Sequence, residues 1–317
     1  MDTDTRQRRG YGRGALEHAA RSTTMQEAEA QRRAAGLTCW LEPVTPEPLS
    51  GGITNRNYLV RHRGESFVVR VGDDIPVHQI TRSCELAASL AAAAAGVSPE
   101  VVHHEPGALV LRFIEGQTLK PEDLRKAPML ARILPLLRRC HGEIERHLRG
   151  PVQMFWVFHV LRDYAQTLRD GRSRFVPELA RLLATAAELQ AAVGPIDVVF
   201  SHNDLLAANF IDAGERLWLI DWDYAGFNSP LFDLANLCSN NEVGPVEEAW
   251  LLEAYFERPL SAELARRYRA TKCASLLREA LWGMVSELHS SLDVDYGSYA
   301  RDYLTRFERA LAEFRQA

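Results

Sequence analysis

The sequence predicts an α+β chain in which a small β-rich lobe precedes a larger, mostly helical one. Three observations predict it. Short apolar stretches bounded by Gly and Pro crowd the region from residue 38 to 116. Helical periodicity dominates from residue 121 onward. A single β-rich island, DVVFSHNDLLAANFIDAGERLWLIDWDYAG at 197–226, interrupts those helices.

The 317 residues suffice for two lobes, each with its own core. Apolar residues make up 46% and charged residues 25%, with a formal net charge of −5. That balance argues against a nucleic-acid partner, which calls for a basic surface. The five cysteines (Cys39, Cys84, Cys140, Cys238, Cys273) are scattered and form no C-x-x-C pair. Neither a disulfide framework nor a zinc site is expected, and free thiols fit a reducing cytosol. No apolar run approaches the roughly 20 residues of a membrane span. The expectation is a cytoplasmic protein without membrane insertion.

In chain order, the polar, Arg- and Gly-rich residues 1–24 read as a disordered tail, and a helical pattern, MQEAEAQRRAAG, begins at Met25. LTCWLEPVT, RNYLVRHRG and SFVVRVG then read as short β stretches, with a hairpin turn at Gly64. Residues 81–95 form helix, stopped by Gly96 and followed by Pro99. Two more strands follow in PEVVHHE and GALVLRFI. The first lobe is thus read as 25–116 and given nucleotide binding. The second, 117–317, carries helices at 121–149, 154–170 and 176–193, the β-rich island, and helix again from 230.

The island carries the chemistry. His202, Asp204, Asn209, Asp221 and Asp223 lie among apolar residues. Carboxylates beside strand cores are costly unless something pairs with them. Carboxylate and carboxamide oxygens together suit magnesium, and magnesium suggests phosphate chemistry. H-x-D-x-x-x-x-N, then a strand, then I-D, matches a kinase catalytic loop followed by a metal-binding aspartate. In that reading Asp204 is the base for a substrate hydroxyl, Asn209 and Asp221 hold the metal, and His202 orders the loop. Singly these would be ordinary turn and cap residues; the full string is what carries the reading.

The first lobe then holds ATP. In Ser50-Gly51-Gly52-Ile53-Thr54-Asn55, the two glycines let backbone N–H groups approach a phosphate, although a plain hairpin turn would look the same. Arg70, ending SFVVR, is expected on the α/β-phosphates, held by Glu85 on the following helix. The stretch LRFIEGQ at 111–117, which includes Arg112 and Ile114, reads as a hinge whose backbone meets the adenine.

GGITNRNYLV, FVVRVG, T-R-x-x-E, LRFIEG, SHNDLLAANFI, LIDWDYAG and SPLFDLANL occur in the order seen in choline and ethanolamine kinases. From about residue 40 to 310 the chain resembles that family, its bacterial choline kinase branch above all, within the aminoglycoside phosphotransferase superfamily. The resemblance implies a protein-kinase-like bilobal fold, MgATP as donor and a small amino alcohol as acceptor. It puts the base at Asp204, metal ligands at Asn209 and Asp221, and Asp223 where the family has Glu or Asp in the same loop. It aligns A-L-W-G-M-V at 280–285 with the helix whose Trp, here Trp282, lines the choline cage. Trp222 and Tyr224 are expected to face the acceptor. Two positions depart from the family: Val285, where some relatives carry a second Trp, and Asn240-Asn241, where an acidic residue usually faces the cationic headgroup. Another alcohol acceptor, such as thiamine or an aminoglycoside, is the first alternative. A non-catalytic pseudokinase is the second, and the presence of Asp204, Asn209 and Asp221 together argues against it.

Overall fold

The computed structural model describes residues 27–49, 55–290, 292 and 294–316. The tail at 1–24 and the candidate phosphate-binding residues Ser50, Gly51 and Gly52 lie outside the described residues. The chain divides into two compact units. The first comprises the chain up to Asp73, with Val102–Phe113 and Ser290–Val294. The second comprises Asp74–Val101, Ile114–His289 and Asp295–Ala317.

The first unit is a five-stranded sheet in the order β1-β2-β3-β5-β4, built from β1 (Glu47–Leu49), β2 (Arg56–His62), β3 (Glu65–Val71), β4 (Val101–Glu105) and β5 (Ala108–Arg112). A helix, α1 (27–35), contributes Ala30 and Ala34 to the core of this unit. Strand alternation decides which face is buried. Tyr58 pairs with Val69 and Val69 with Val110, while Val60 pairs with Phe67, so these side chains share one face. The hairpin turns at Arg63 and Gly64, both with positive φ (52° and 81°). Two successive left-handed residues match the twist of the flanking strands, which is why a Gly punctuates the sequence there. The expected β stretch LTCWLEPVT does not form a strand; β1 begins only at Glu47. Pro43 and Pro46 remove ladder donors from that segment. Trp40 instead donates its indole N–H to the Ala34 carbonyl at 2.8 Å and packs against Phe67 and His62.

The second unit holds α2 (Arg82–Ala94), β6 (Gln117–Thr118), α3 (Pro121–Leu124), α4 (Ala127–Glu143), β7 (Gln153–Met154), α5 (Val157–Asp170) and α6 (Leu179–Val193). The β-rich island supplies β8 (Val199–Ser201), β9 (Phe210–Asp212), β10 (Leu217–Leu219) and β11 (Gly226–Asn228). Then come α7 (Pro230–Asn241), α8 (Pro245–Phe256), α9 (Ala262–His289) and α10 (Tyr296–Gln316). The sequence reading counted α2 with the first lobe. Its small face, Ala88, Ala91 and Ala92, packs instead in a core of the second unit with residues of α4. The other core of this unit gathers α5, α6, α9 and α10. No helix among the described residues is long and apolar enough to cross a membrane.

The island's strands join β6 and β7 in two three-stranded sheets, β10-β9-β6 and β7-β11-β8. In the second, Gly226 of β11 lies between Gln153 and Ser201. A Cβ there would run into the backbone carbonyl of Gln153. Gly226→Ala is therefore expected to destabilise the protein by about 1–3 kcal/mol, the usual range for overpacking, read as a lowered melting temperature.

Candidate active site

The loop from β8 to β9 carries the string His202 to Asn209, and its backbone is fixed largely by side chains of α7. Asp233, fully buried, accepts hydrogen bonds from the backbone N–H of His202 (2.9 Å) and Asn203 (2.8 Å). The remaining donor on this carboxylate is His141 of α4, through Nε2 at 2.9 Å. Asn236 accepts from the Leu205 N–H at 2.6 Å. Asn241 accepts from the Ala207 N–H at 2.9 Å and donates to the Leu205 carbonyl at 2.9 Å. Buried N–H groups that a regular ladder cannot serve are thereby satisfied one by one. Burial alone would raise the Asp233 carboxyl, but the hydrogen bond and charge of His141, with help from His202, hold it below its ordinary value.

His202 is neutral in this arrangement. Its Nε2 faces the Ile220 carbonyl at 2.9 Å and donates to it, while Nδ1 accepts from the Asp204 N–H at 3.3 Å. Burial lowers the imidazole's affinity for a proton. With both ring nitrogens occupied, His202 ties its loop to Ile220, the residue before Asp221. Asn203 adopts a left-handed φ of 68°, and its amide donates to the Tyr224 carbonyl at 3.0 Å and accepts from Asn228 at 2.8 Å. Asp221 is likewise left-handed, at φ 72°. A non-Gly residue held in that region reports a conformation fixed by its surroundings.

The Asp204 side chain keeps 16% of its surface exposed. Burial pushes its carboxyl above the ordinary carboxylate range; Arg278 opposes the rise, while Glu279, Asp221 and Asp223 add to it. Asn209 spends its amide N–H on the Asp204 carbonyl at 2.8 Å, which leaves its oxygen as the free end. Asp221 stands one strand further on. Asp223 accepts from Arg82 of α2 at 2.9 Å, and the same Arg82 Nη1 lies 2.6 Å from Glu85. Asp221 and Asp223 lie close enough to Asp204 to act on its charge, and carboxylate and carboxamide oxygens such as these and that of Asn209 are of the hard type that magnesium takes.

Beside Asp204 lies a buried group that the sequence reading did not single out. Arg278 of α9 is 1% exposed, and its Nη1 is 3.8 Å from Asp204 Oδ1. It also bonds Glu279 Oε1, whose second oxygen accepts from the Tyr299 hydroxyl at 2.9 Å. The guanidinium stands over the Tyr224 ring, 4.2 Å from its centroid. The Tyr224 hydroxyl accepts from the Trp282 indole N–H at 2.8 Å, and Trp282 stacks on His78 at 5.2 Å. Tyr224 and Trp282, expected near the acceptor, thus belong to one aromatic cluster next to Asp204. Trp222, expected to face the acceptor as well, is 2% exposed and packs in the core. Its indole donates to Ser98 Oγ at 3.0 Å and its ring lies edge-on to His202, so it backs the loop from behind. Asn240, on α7, is 8% exposed.

In the first unit, Arg70 is buried near the end of β3 and Asn55 precedes β2. Arg112 pairs with Glu65 at 2.8 Å and stacks over Phe67, a position inside the sheet's own network. The first unit ends at Phe113 and the second resumes at Ile114.

The family model for choline/ethanolamine kinase matches residues 47–245. The chain belongs to the choline/ethanolamine kinase family. Protein LicA of Haemophilus influenzae is 26% identical over 271 residues, covering 83% of this chain and 79% of that protein. A probable ethanolamine kinase of Arabidopsis thaliana is 28% identical over 290 residues, covering 80% and 76%. The crystal structure of a choline/ethanolamine kinase family protein from Mesorhizobium loti superposes with a TM-score of 0.70 at 29% identity, over 92% of this chain and 99% of that one. The protein is accordingly a small-molecule kinase with the protein-kinase-like fold, which is also found in aminoglycoside phosphotransferases. ATP as the phosphoryl donor follows from the family.

Proposed function

We propose that this kinase transfers the γ-phosphoryl group of ATP to the hydroxyl of choline or ethanolamine, with magnesium held by Asn209, Asp221 and Asp223. The observation that carries the reading is the pinned loop. Every backbone donor from His202 to Leu205 has a named acceptor, and the Asp204 carboxylate, which anchors none of them, stays partly exposed. Asp204 receives the hydroxyl proton as the oxygen attacks phosphorus. His202 stays neutral and fixes the loop. Magnesium, held by Asn209, Asp221 and Asp223, would supply charge neutralisation at the transferred phosphate. Nucleotide contacts are assigned to Ser50, Gly51, Gly52, Asn55 and Arg70 of the first unit, with the backbone around Arg112 and Ile114 toward the adenine. Glu85 serves indirectly, by holding a cation. Tyr224, Trp282 and Asn240 are assigned to the acceptor.

The deciding assay is magnesium-dependent ATP consumption against choline, ethanolamine, thiamine and aminoglycosides. Turnover confined to thiamine or an aminoglycoside would replace the acceptor and keep the catalytic loop. Asp221→Ala is expected to lose magnesium-dependent nucleotide binding, because the ion joins the protein to the phosphates. Isothermal titration with and without magnesium reads this directly, and unchanged MgATP affinity would remove Asp221 from the metal site.

A further inference from the structure

The aromatic niche beside Asp204 already contains a cation, and it is the protein's own. Quaternary ammonium groups are recognised by ring faces, since they carry no N–H to donate. The rings on hand here are engaged. Arg278 covers a face of Tyr224, with its Cζ 4.2 Å from the centroid, and lies 5.5 Å from the Phe155 centroid. Arg278 Nε and Nη2 are buried and make no hydrogen bond, which leaves the ring faces as their partners. Trp282 has given its N–H to Tyr224 and stacks on His78. Glu279 locks the guanidinium in place and is itself held by Tyr299. A quaternary ammonium, which has only ring faces to bind, would have to displace Arg278 from the Tyr224 face.

Asn240 presents the opposite situation. It stands one turn beyond Asn236 on the helix that clamps the catalytic loop. Both its Oδ1 and its Nδ2 are buried without a hydrogen-bond partner. A buried carboxamide oxygen without a donor is costly and calls for an N–H group. Trimethylammonium has none, whereas a primary ammonium has three.

We propose that Arg278 is a specificity-determining residue. It fills the aromatic niche at Tyr224 with an internal cation, so that the acceptor's nitrogen is recognised as an N–H donor and ethanolamine is preferred over choline. The inference rests on the proposed acceptor class and narrows it. A site built to hydrogen-bond an N–H rejects an analogue that lacks it far more strongly than an apolar pocket rejects an extra methyl.

The test is the kcat/KM series for ethanolamine, its N-methyl and N,N-dimethyl derivatives, and choline. Values are expected to fall as methyl groups replace N–H, with ethanolamine at least about tenfold above choline. Arg278→Met keeps the stem and vacates the ring face, and is expected to move the ethanolamine-to-choline ratio toward choline by about tenfold. Asn240→Leu, nearly the same size, is expected to lower the same ratio by removing the amide oxygen. Where Arg278→Met fails to fold, the wild-type series still tests the predicted preference and Asn240→Leu its N–H recognition. Choline equal to or better than ethanolamine in the wild type overturns the inference and leaves the choline/ethanolamine reading standing. Turnover with no member of the series overturns that reading and the inference with it.

Discussion

Asp204→Asn is expected to reduce kcat by about 10²–10⁴-fold, the range for loss of a general base, with little change in the KM for ATP. The substitution is isosteric, so the loop conformation should survive. Its anchors are the backbone bonds to Asp233 and Asn236, and the Asp204 side chain takes no part in them. An amide cannot accept the hydroxyl proton, and it removes the negative charge 3.8 Å from Arg278. Both effects bear on the chemical step and neither on nucleotide affinity. Single-turnover kinetics with an unchanged melting temperature would separate chemistry from folding. A variant that keeps more than a tenth of the wild-type kcat would move the proton acceptor elsewhere.

The string proposed to carry the chemistry was legible because it is local. His202, Asp204, Asn209 and Asp221 lie on one loop and the strand pair after it, and polar residues among apolar ones announce themselves there. The hairpin at Gly64 and the helix stop at Gly96 were legible for a related reason, since a left-handed backbone asks for Gly. The partners of the site were harder to read. Arg82 meets Asp223 across 141 positions of sequence, and nothing in a helix start marks that encounter. Arg278 and Glu279 are adjacent charges on a long helix, a pattern that ordinarily faces solvent. Only packing of α9 against α7, α5 and α10 reveals that both are buried. Trp222 shows the converse error. Its place beside Asp221 suggests the acceptor, but its ring packs in the core, held by Ser98 and set against His202. A faint signal did exist for the loop anchors. D-L-A-N-L-C-S-N-N places Asp233, Asn236 and Asn241 along a helix that is otherwise apolar, and such residues need a buried partner.

That partner makes Asp233 the site of the second large effect. Asp233→Ala withdraws the acceptor from the His202 and Asn203 N–H groups and from His141 Nε2, all of them buried. Breaking such a network by removing one member is expected to cost about 3–5 kcal/mol of stability. Asp233→Asn should cost less but still substantially, because the amide keeps one oxygen while its NH2 must face a donor. The wild-type carboxyl titrates below its ordinary value. Its stabilising contribution is therefore complete above the unfolded-state pKa of about 3.9 and is lost as pH falls through the lower folded value. Acid unfolding of wild type should thus be steeper than that of Asp233→Asn, whose anchor does not titrate. Activity should fall as well, since Asp233 acts through the position of Asp204. A double-mutant cycle distinguishes that route from general loosening. In an Asp204→Asn background, Asp233→Asn should retain its full cost in melting temperature yet lose most of its effect on kcat, because no base is left to misplace. Equal kcat losses in both backgrounds would mean that Asp233 supports the fold without positioning the base.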